Sequence, residues 1–201
     1  MEWLREGAVQ PRHRVRPVAS LDTLLHRNRS TRGFDSSHPV SEEQLREIVA
    51  VNTLVASSGN RQLLRFKIVT DASAVLPHIR MGAALSQERL PKPGTAPQAF
   101  IAVCSTVAED RLVDIDLGIS LQSMGLKAAQ MGLNVLIICA LDGKALRSSL
   151  GLPSEPLALL AVGKGAESIY LKPVSAGESL SYYRKDGVHY VPKLRLEDIL
   201  L

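Results

Sequence analysis

Asn28-Arg29-Ser30-Thr31-Arg32, followed further along by Ser57-Ser58-Gly59-Asn60-Arg61-Gln62, are the two stretches on which the reading of this chain turns. The first places two guanidinium groups and a hydroxyl close together, just behind a short amphipathic segment carrying Leu21, Leu24 and Leu25. An arginine presents a fixed fork of donors that matches phosphate oxygens bidentately, and a serine adds a short donor beside it. The second is a run of small and amide residues, whose backbone and side-chain amides suit the polar edge of a heteroaromatic ring. Alone, an Arg-Ser-x-Arg cluster is an ordinary solvated, basic helix end. Two such stretches in this order, with further matches downstream, change that reading.

The 201 residues suit one domain with a substantial core. A hydrophobic fraction of 45% argues against wholesale disorder, and aromatics at 4% leave the core to Leu, Ile, Val and Ala. The formal charge of +4 is too mild to indicate nucleic acid. Part of it lies in an N-terminal arm over residues 1–20, where Arg12, His13, Arg14 and Arg16 sit between Pro11 and Pro17. That arm reads as an extended, solvated lead-in, with nucleic-acid binding as a minor alternative. No segment approaches the run of about 18 apolar residues that spans a membrane, and Met1-Glu2-Trp3-Leu4-Arg5-Glu6 lacks the apolar core of a signal peptide. Cys104 and Cys139 each fall in an apolar, strand-like run and read as buried free thiols in a reducing cytoplasm.

Ser41-Glu42-Glu43-Gln44 is a capping box, and Leu45, Ile48, Val49 and Val55 predict a helix running on into Ser57-Ser58-Gly59. Residues 66–69 alternate as a half-buried strand does, 74–79 suit a short helix, and the proline-rich stretch 87–98 predicts a loop. Residues 99–104, 135–141 and 157–163 read as buried strands, and 143–150 as a helix closed by Gly151. Residues 114–131 form the most regular helix, apolar on most sides. Asp116, Ser120, Ser123, Lys127 and Gln130 mark its polar stripe, and the Asp114/Asp116 pair reads as helix-start carboxylates. Beyond Gly163 the chain turns polar and glycine-rich, then ends in strand-like apolar residues. Strands interleaved with helices fit either α/β or α+β, and the pattern does not choose between them.

The familiar catalytic constellations are missing. The chain has no G-x-S-x-G, no Walker loop, no H-E-x-x-H and no G-x-G-x-x-G behind a strand. The histidines are scattered, and no cysteine has metal-ligand spacing. Such a chain can still be an enzyme where a cofactor carries the chemistry.

At the strings NRSTRGF and SSGNRQL the sequence resembles the FMN-dependent nitroreductase family. The resemblance extends through Asp116, Gly118, Gln122, Leu126 and Ala129, then Gly132-Leu133, Leu150-Gly151-Leu152-Pro153 and Ala161-Val162-Gly163. It implies an α+β fold, a mixed sheet flanked by helices, and a homodimer. It implies one FMN-binding domain over 21–201, passing hydride from NADH or NADPH through flavin to a nitro compound, quinone or similar acceptor. It assigns Arg29, Ser30 and Arg32 to the FMN phosphate, with Asn28 as a weaker neutral donor. It adds Ser58, Asn60 and Gln62 to the cofactor site, Asn60 hydrogen-bonding the flavin, on a loop serving a cofactor held mainly by the partner subunit. A late basic pair completes the phosphate site, for which Lys193 is the best match and Arg195 the next. Asn134, Val135 and Cys139 depart from the family's small residues near the flavin ring, and Leu63 stands where proline is usual. A flavin-binding or flavin-free module on the same fold is the alternative reading.

Overall fold

The computed structural model describes residues 19–79 and 93–201. The expected N-terminal arm therefore lies outside the described residues apart from Ala19 and Ser20, as does the first half of the proline-rich loop, residues 87–92.

Among the described residues, four strands form the main sheet: β1 (Leu64–Val69), β2 (Ala99–Ser105), β3 (Asn134–Ile138) and β4 (Ala158–Gly163), in the order β1-β2-β4-β3. All three pairings are antiparallel, with Ile101 opposite both Ile68 and Leu160. Every residue of β2 and β4 is buried, because helices and turns cover both faces of the sheet. That is why these strands read as unbroken apolar runs.

On one face lie α2 (Glu42–Ala50) and α3 (Arg111–Gln130), where Leu45, Ile48, Leu121, Met124 and Ala128 pack on Ile101, Val103, Leu160 and Val162. On the other lie α4 (Gly143–Leu150) and two short 3-10 turns at 72–74 and 76–78, packing Leu146 and Val75 on Phe100, Leu159 and Ala161. The capping box of α2 forms on both sides: Gln44 N donates to Ser41 Oγ at 3.2 Å, and Ser41 N to Gln44 Oε1 at 2.9 Å. Gly151 closes α4 in the left-handed region at φ 60°.

A second sheet of three strands follows: β5 (Ser168–Val174), β6 (Tyr183–Lys185) and β7 (Val188–Leu194), in the order β5-β7-β6. β5 runs parallel to β7 and β6 antiparallel to it, so this is where mixed pairing falls. The fold is α+β, as the resemblance implies. The alternation of Ile169 and Leu171 with Ser168, Tyr170 and Lys172 is the strand signal that the polar composition of the region masks. Pro192 is tolerated in β7 because β6 is short: it pairs β7 only over Val188–Tyr190 and leaves that edge open at Pro192.

Several expectations need correction. α2 stops at Ala50, since Asn52 Nδ2 and Thr53 Oγ1 donate to the carbonyls of Val49 and Ala50 and turn the chain into a 3-10 segment. The expected helix over 74–79 is the pair of 3-10 turns. The polar stripe of α3 is not a solvated face at Asp116 and Ser120, which are 4% and 1% exposed, because the segment after α2 packs over them. That helix starts at Arg111, so Asp114 falls in its first turn as expected and Asp116 lies beyond it, while Asp110 caps the helix, its carboxylate accepting from the amides of Leu112 and Val113 at 2.8 Å. Lastly, Cys139 is exposed, because β3 ends at Ile138; Cys104 is buried as expected.

Candidate functional site

Helix α1 (Leu21–Arg27) ends at Asn28, and Arg29 folds back on it. Its Nη2 donates to the Leu25 carbonyl and its Nε to the Asn28 carbonyl, both at 2.7 Å, satisfying acceptors that a helix end leaves open. Burial pushes the Arg29 guanidinium below its ordinary pKa. Asn28 lies against α3 at Gly125, where a Cβ would stand 2.8 Å from the Asn28 amide atoms, and its Nδ2 reaches Gln122 Oε1 at 3.4 Å. Here glycine permits the close approach.

The rest of the first motif is bonded along its length to the sheet. Thr31 N donates to the Val135 carbonyl at 3.0 Å, Phe34 N to Thr95 and Asp35 N to Lys164, both at 2.8 Å. Phe34 is buried against Gly163, where a Cβ would lie 2.7 Å from its ring. The motif is thus fastened as an extra strand segment beside β3, with Ser30 paired to Val135.

Asn28, Arg29, Ser30 and Arg32 line one cavity of about 300 Å³ together with Lys193 of β7. Residues far apart in the chain thus line one cavity. Arg195 is not among the lining residues; it sits at the end of β7, its amide donating to the Val174 carbonyl at 3.2 Å. The apolar wall comes from Leu121, Val135, Ile137, Ile169 and Val191, and the lining contains no carboxylate among the described residues. A cavity with three cationic side chains, a hydroxyl and an apolar strip suits an anionic group attached to a flat, apolar body.

Three residues of this region carry no signal in either motif. Glu167, its side chain 6% exposed, accepts from Arg32 N at 2.6 Å and pairs with Arg184. Tyr182 lies under the Arg32 guanidinium, 5.2 Å from ring centre to carbon, and lines the cavity. Burial works to raise the Glu167 pKa, but the Arg32 amide, Arg184 and the Gly33 amide outweigh it and hold the carboxyl below its ordinary value. Only the three-dimensional pairing of the C-terminal sheet with the first motif reveals them.

The second motif lies elsewhere. Ser57 and Gln62 line a separate cavity of about 590 Å³ between the loop, α2, β1 and α3, with Asp116 and Ser120 on its wall. Asp116 Oδ1 accepts from both the amide and the hydroxyl of Ser58 at 2.8 Å. Gly59, Asn60 and Gln62 have φ of 58°, 54° and 49°, a left-handed conformation costly for the two non-glycine residues. Ser57 Oγ accepts from Gln62 N at 3.2 Å, and Gln62 Nε2 donates to Asn60 Oδ1 at 3.1 Å. Asn60 and Gln62 are exposed. Within one chain the two motifs share neither of these cavities.

The departures near β3 are placed too. Asn134 Oδ1 accepts from Gly165 N at 2.9 Å, so its side chain serves the turn after β4. Val135 is a core residue that also lines the smaller cavity, and Cys139 lines neither cavity.

Residues 25–164 match the model of the nitroreductase family. The chain belongs to that family. Among solved structures it is similar to a putative nitroreductase in complex with FMN from Exiguobacterium sibiricum, at 18% identity and a TM-score of 0.61, covering 76% of this chain and 91% of that one. It is similar to a nitroreductase family protein from Streptococcus pneumoniae, at 16% identity and a TM-score of 0.62, covering 75% and 93%. It is also similar to an FMN and NADPH-dependent nitroreductase from Sphigopyxis sp. strain HMH, at 21% identity and a TM-score of 0.59, covering 74% and 89%. These likenesses establish the nitroreductase fold. A search among curated proteins gives no match. Glu167, Tyr182, Arg184 and Lys193 all lie beyond the stretch that the family model matches. No helix among the described residues is long and apolar enough to cross a membrane.

Proposed function

We propose that this nitroreductase-family protein is an FMN-dependent oxidoreductase that takes hydride from NADH or NADPH and delivers it to a nitro compound, quinone or similar electron-poor acceptor. The observation that carries the reading is the convergence of Arg29, Ser30, Arg32 and Lys193 on one carboxylate-free cavity. The donor set fits a phosphate monoester: Arg32 and Lys193 supply charge, Ser30 a hydroxyl, and Asn28 a neutral amide. Leu121, Val135 and Ile137 offer the apolar surface against which a ring system rests. FMN, once bound, supplies the hydride chemistry, which explains a site built without an acid–base pair. The protein's part is to hold, orient and desolvate.

The assembly we propose is a cytoplasmic homodimer in which the Ser58–Gln62 loop of one subunit meets the cofactor of the other. Two observations support it: the loop stands away from the phosphate cavity of its own chain, and α3 and β3 leave Leu112, Ile115 and Ile137 nearly half exposed. The test is the absorbance spectrum of the purified protein, before and after FMN and then NAD(P)H, with light scattering on the same sample. A yellow dimer bleached by NAD(P)H is the expected result. A yellow protein inert to NAD(P)H makes it a flavin-binding module, and a colourless protein that takes up no FMN removes the cofactor. A monomer at micromolar concentration with FMN present rejects the composite site.

A further inference from the structure

The C-terminal sheet touches the first motif at Arg32 from two sides. Glu167, just before β5, takes the Arg32 amide on Oε2 at 2.6 Å, and the Gly33 amide also donates to this carboxylate. Its other oxygen is held by Arg184 of β6, whose Nη2 donates to Oε1. Gly33 allows the approach: a Cβ there would stand 3.2 Å from Glu167 Cγ. The neighbouring residue of that strand region, Tyr182, supports the Arg32 guanidinium through its ring face. A carboxylate this deep, satisfied by two consecutive amides and a guanidinium, fixes backbone direction rather than neutralising the arginine. Its charge is spent on the backbone and on Arg184, so the Arg32 guanidinium keeps its own charge for the cavity.

We infer that Glu167, locked by Arg184, is a positioning residue that aims Arg32 into the phosphate cavity and so sets the preference of this protein for FMN over the phosphate-free flavin, riboflavin. The inference rests on the FMN reading above and deepens it. It assigns phosphate selectivity to a segment outside the family match. An ion pair that merely braces the fold would, when broken, lower the affinity for both flavins together. A positioning role predicts a loss confined to the ligand that carries the phosphate.

The experiment is fluorescence titration of the parent, Glu167→Ala and Glu167→Gln with FMN and with riboflavin, alongside thermal melts. The parent should bind FMN more tightly than riboflavin. Glu167→Ala should lose about tenfold or more of that ratio, as expected when one charged phosphate contact goes astray, with riboflavin affinity unchanged. Glu167→Gln, which keeps one acceptor oxygen in place of two and cannot serve all three donors, should fall between, and it carries the test if the alanine variant fails to fold. Ratios equal to the parent's in the folded variants overturn the inference and leave the FMN reading standing. A parent that binds both flavins equally overturns the phosphate reading and this inference with it.

Discussion

Asp116 holds Ser58 twice: one carboxylate oxygen in the middle of α3 accepts both the amide and the hydroxyl of Ser58 at 2.8 Å. The other oxygen, Oδ2, is buried with no hydrogen-bond partner. The loop so anchored contains two non-glycine residues in the left-handed region, Asn60 and Gln62. Strain of this kind persists only where surrounding contacts over-determine it. Asp116 supplies that constraint from α3.

Asp116→Ala should therefore cost about 1.5–3 kcal/mol, the range for hydrogen bonds to a charged group, seen as a drop of roughly 3–12 °C in Tm. Amide exchange should accelerate over 58–62. Asp116→Asn should cost less, because a carbonyl can still accept from Ser58 while the unpartnered charge disappears. Equal losses in the two variants would mean that the negative charge itself, not the acceptor, holds the loop.

Lys193 and Arg195 are a pair that sequence leaves nearly equivalent and structure separates. Lys193 lines the cavity that we propose holds the FMN phosphate; Arg195 does not. Lys193→Ala should weaken FMN about 10- to 150-fold, the loss of one charge-assisted contact, and Arg195→Ala should leave the affinity unchanged. A matching loss at Arg195 would place the phosphate nearer the end of β7 than the cavity does.

The sequence made the main sheet and α4 legible because continuous apolar runs and caps are local signals: Ala99–Ser105, Ala158–Gly163 and the Gly143–Leu150 helix with its Gly151. Arg29, Ser30 and Arg32 stand out in the sequence because the first motif is followed by the second, and the fold sets all three on one cavity. What escaped was whatever depends on packing between distant segments. Asp116 reads as a dipole-favouring carboxylate until the turn after α2 buries it. Glu167 and Tyr182 acquire meaning only when β5–β7 close over Arg32. The end of β3 was overrun because Cys139, Ala140 and Leu141 stay apolar after the pairing with β4 has stopped at Ile138.

The two cysteines differ in reach. Cys104 lies within β2 at 2% exposure, its Sγ 3.7 Å from the Ser154 carbonyl, and burial pushes its thiol pKa up. Cys139 is exposed beyond β3. A thiol reagent such as dithionitrobenzoate should titrate one equivalent in the native protein and the second only on unfolding. Because Cys139 lines neither cavity, Cys139→Gly should leave flavin occupancy through purification as in the parent. Two equivalents reacting at once would show β2 opening at its end.

Acid stability should carry the signature of Glu167. Its carboxyl titrates below the ordinary value when folded, because the Arg32 and Gly33 amides and Arg184 outweigh a burial that works to raise it. The unfolded chain then takes up its proton first as pH falls. The contribution to stability is complete above the unfolded carboxylate pKa, about 4.3 for glutamate, and is lost as pH drops through the lower folded value. Glu167→Gln cannot titrate, so its urea midpoint should start lower than the parent's at neutral pH, and the gap should narrow as pH falls below about 4. Asp35, Asp71 and Asp110, also held below their ordinary values by local hydrogen bonds, titrate alike in both proteins and cancel in the difference. Urea unfolding of the two proteins from neutrality into acid measures that gap. A gap that stays constant with pH would mean that Glu167 remains charged throughout the range or contributes through packing alone.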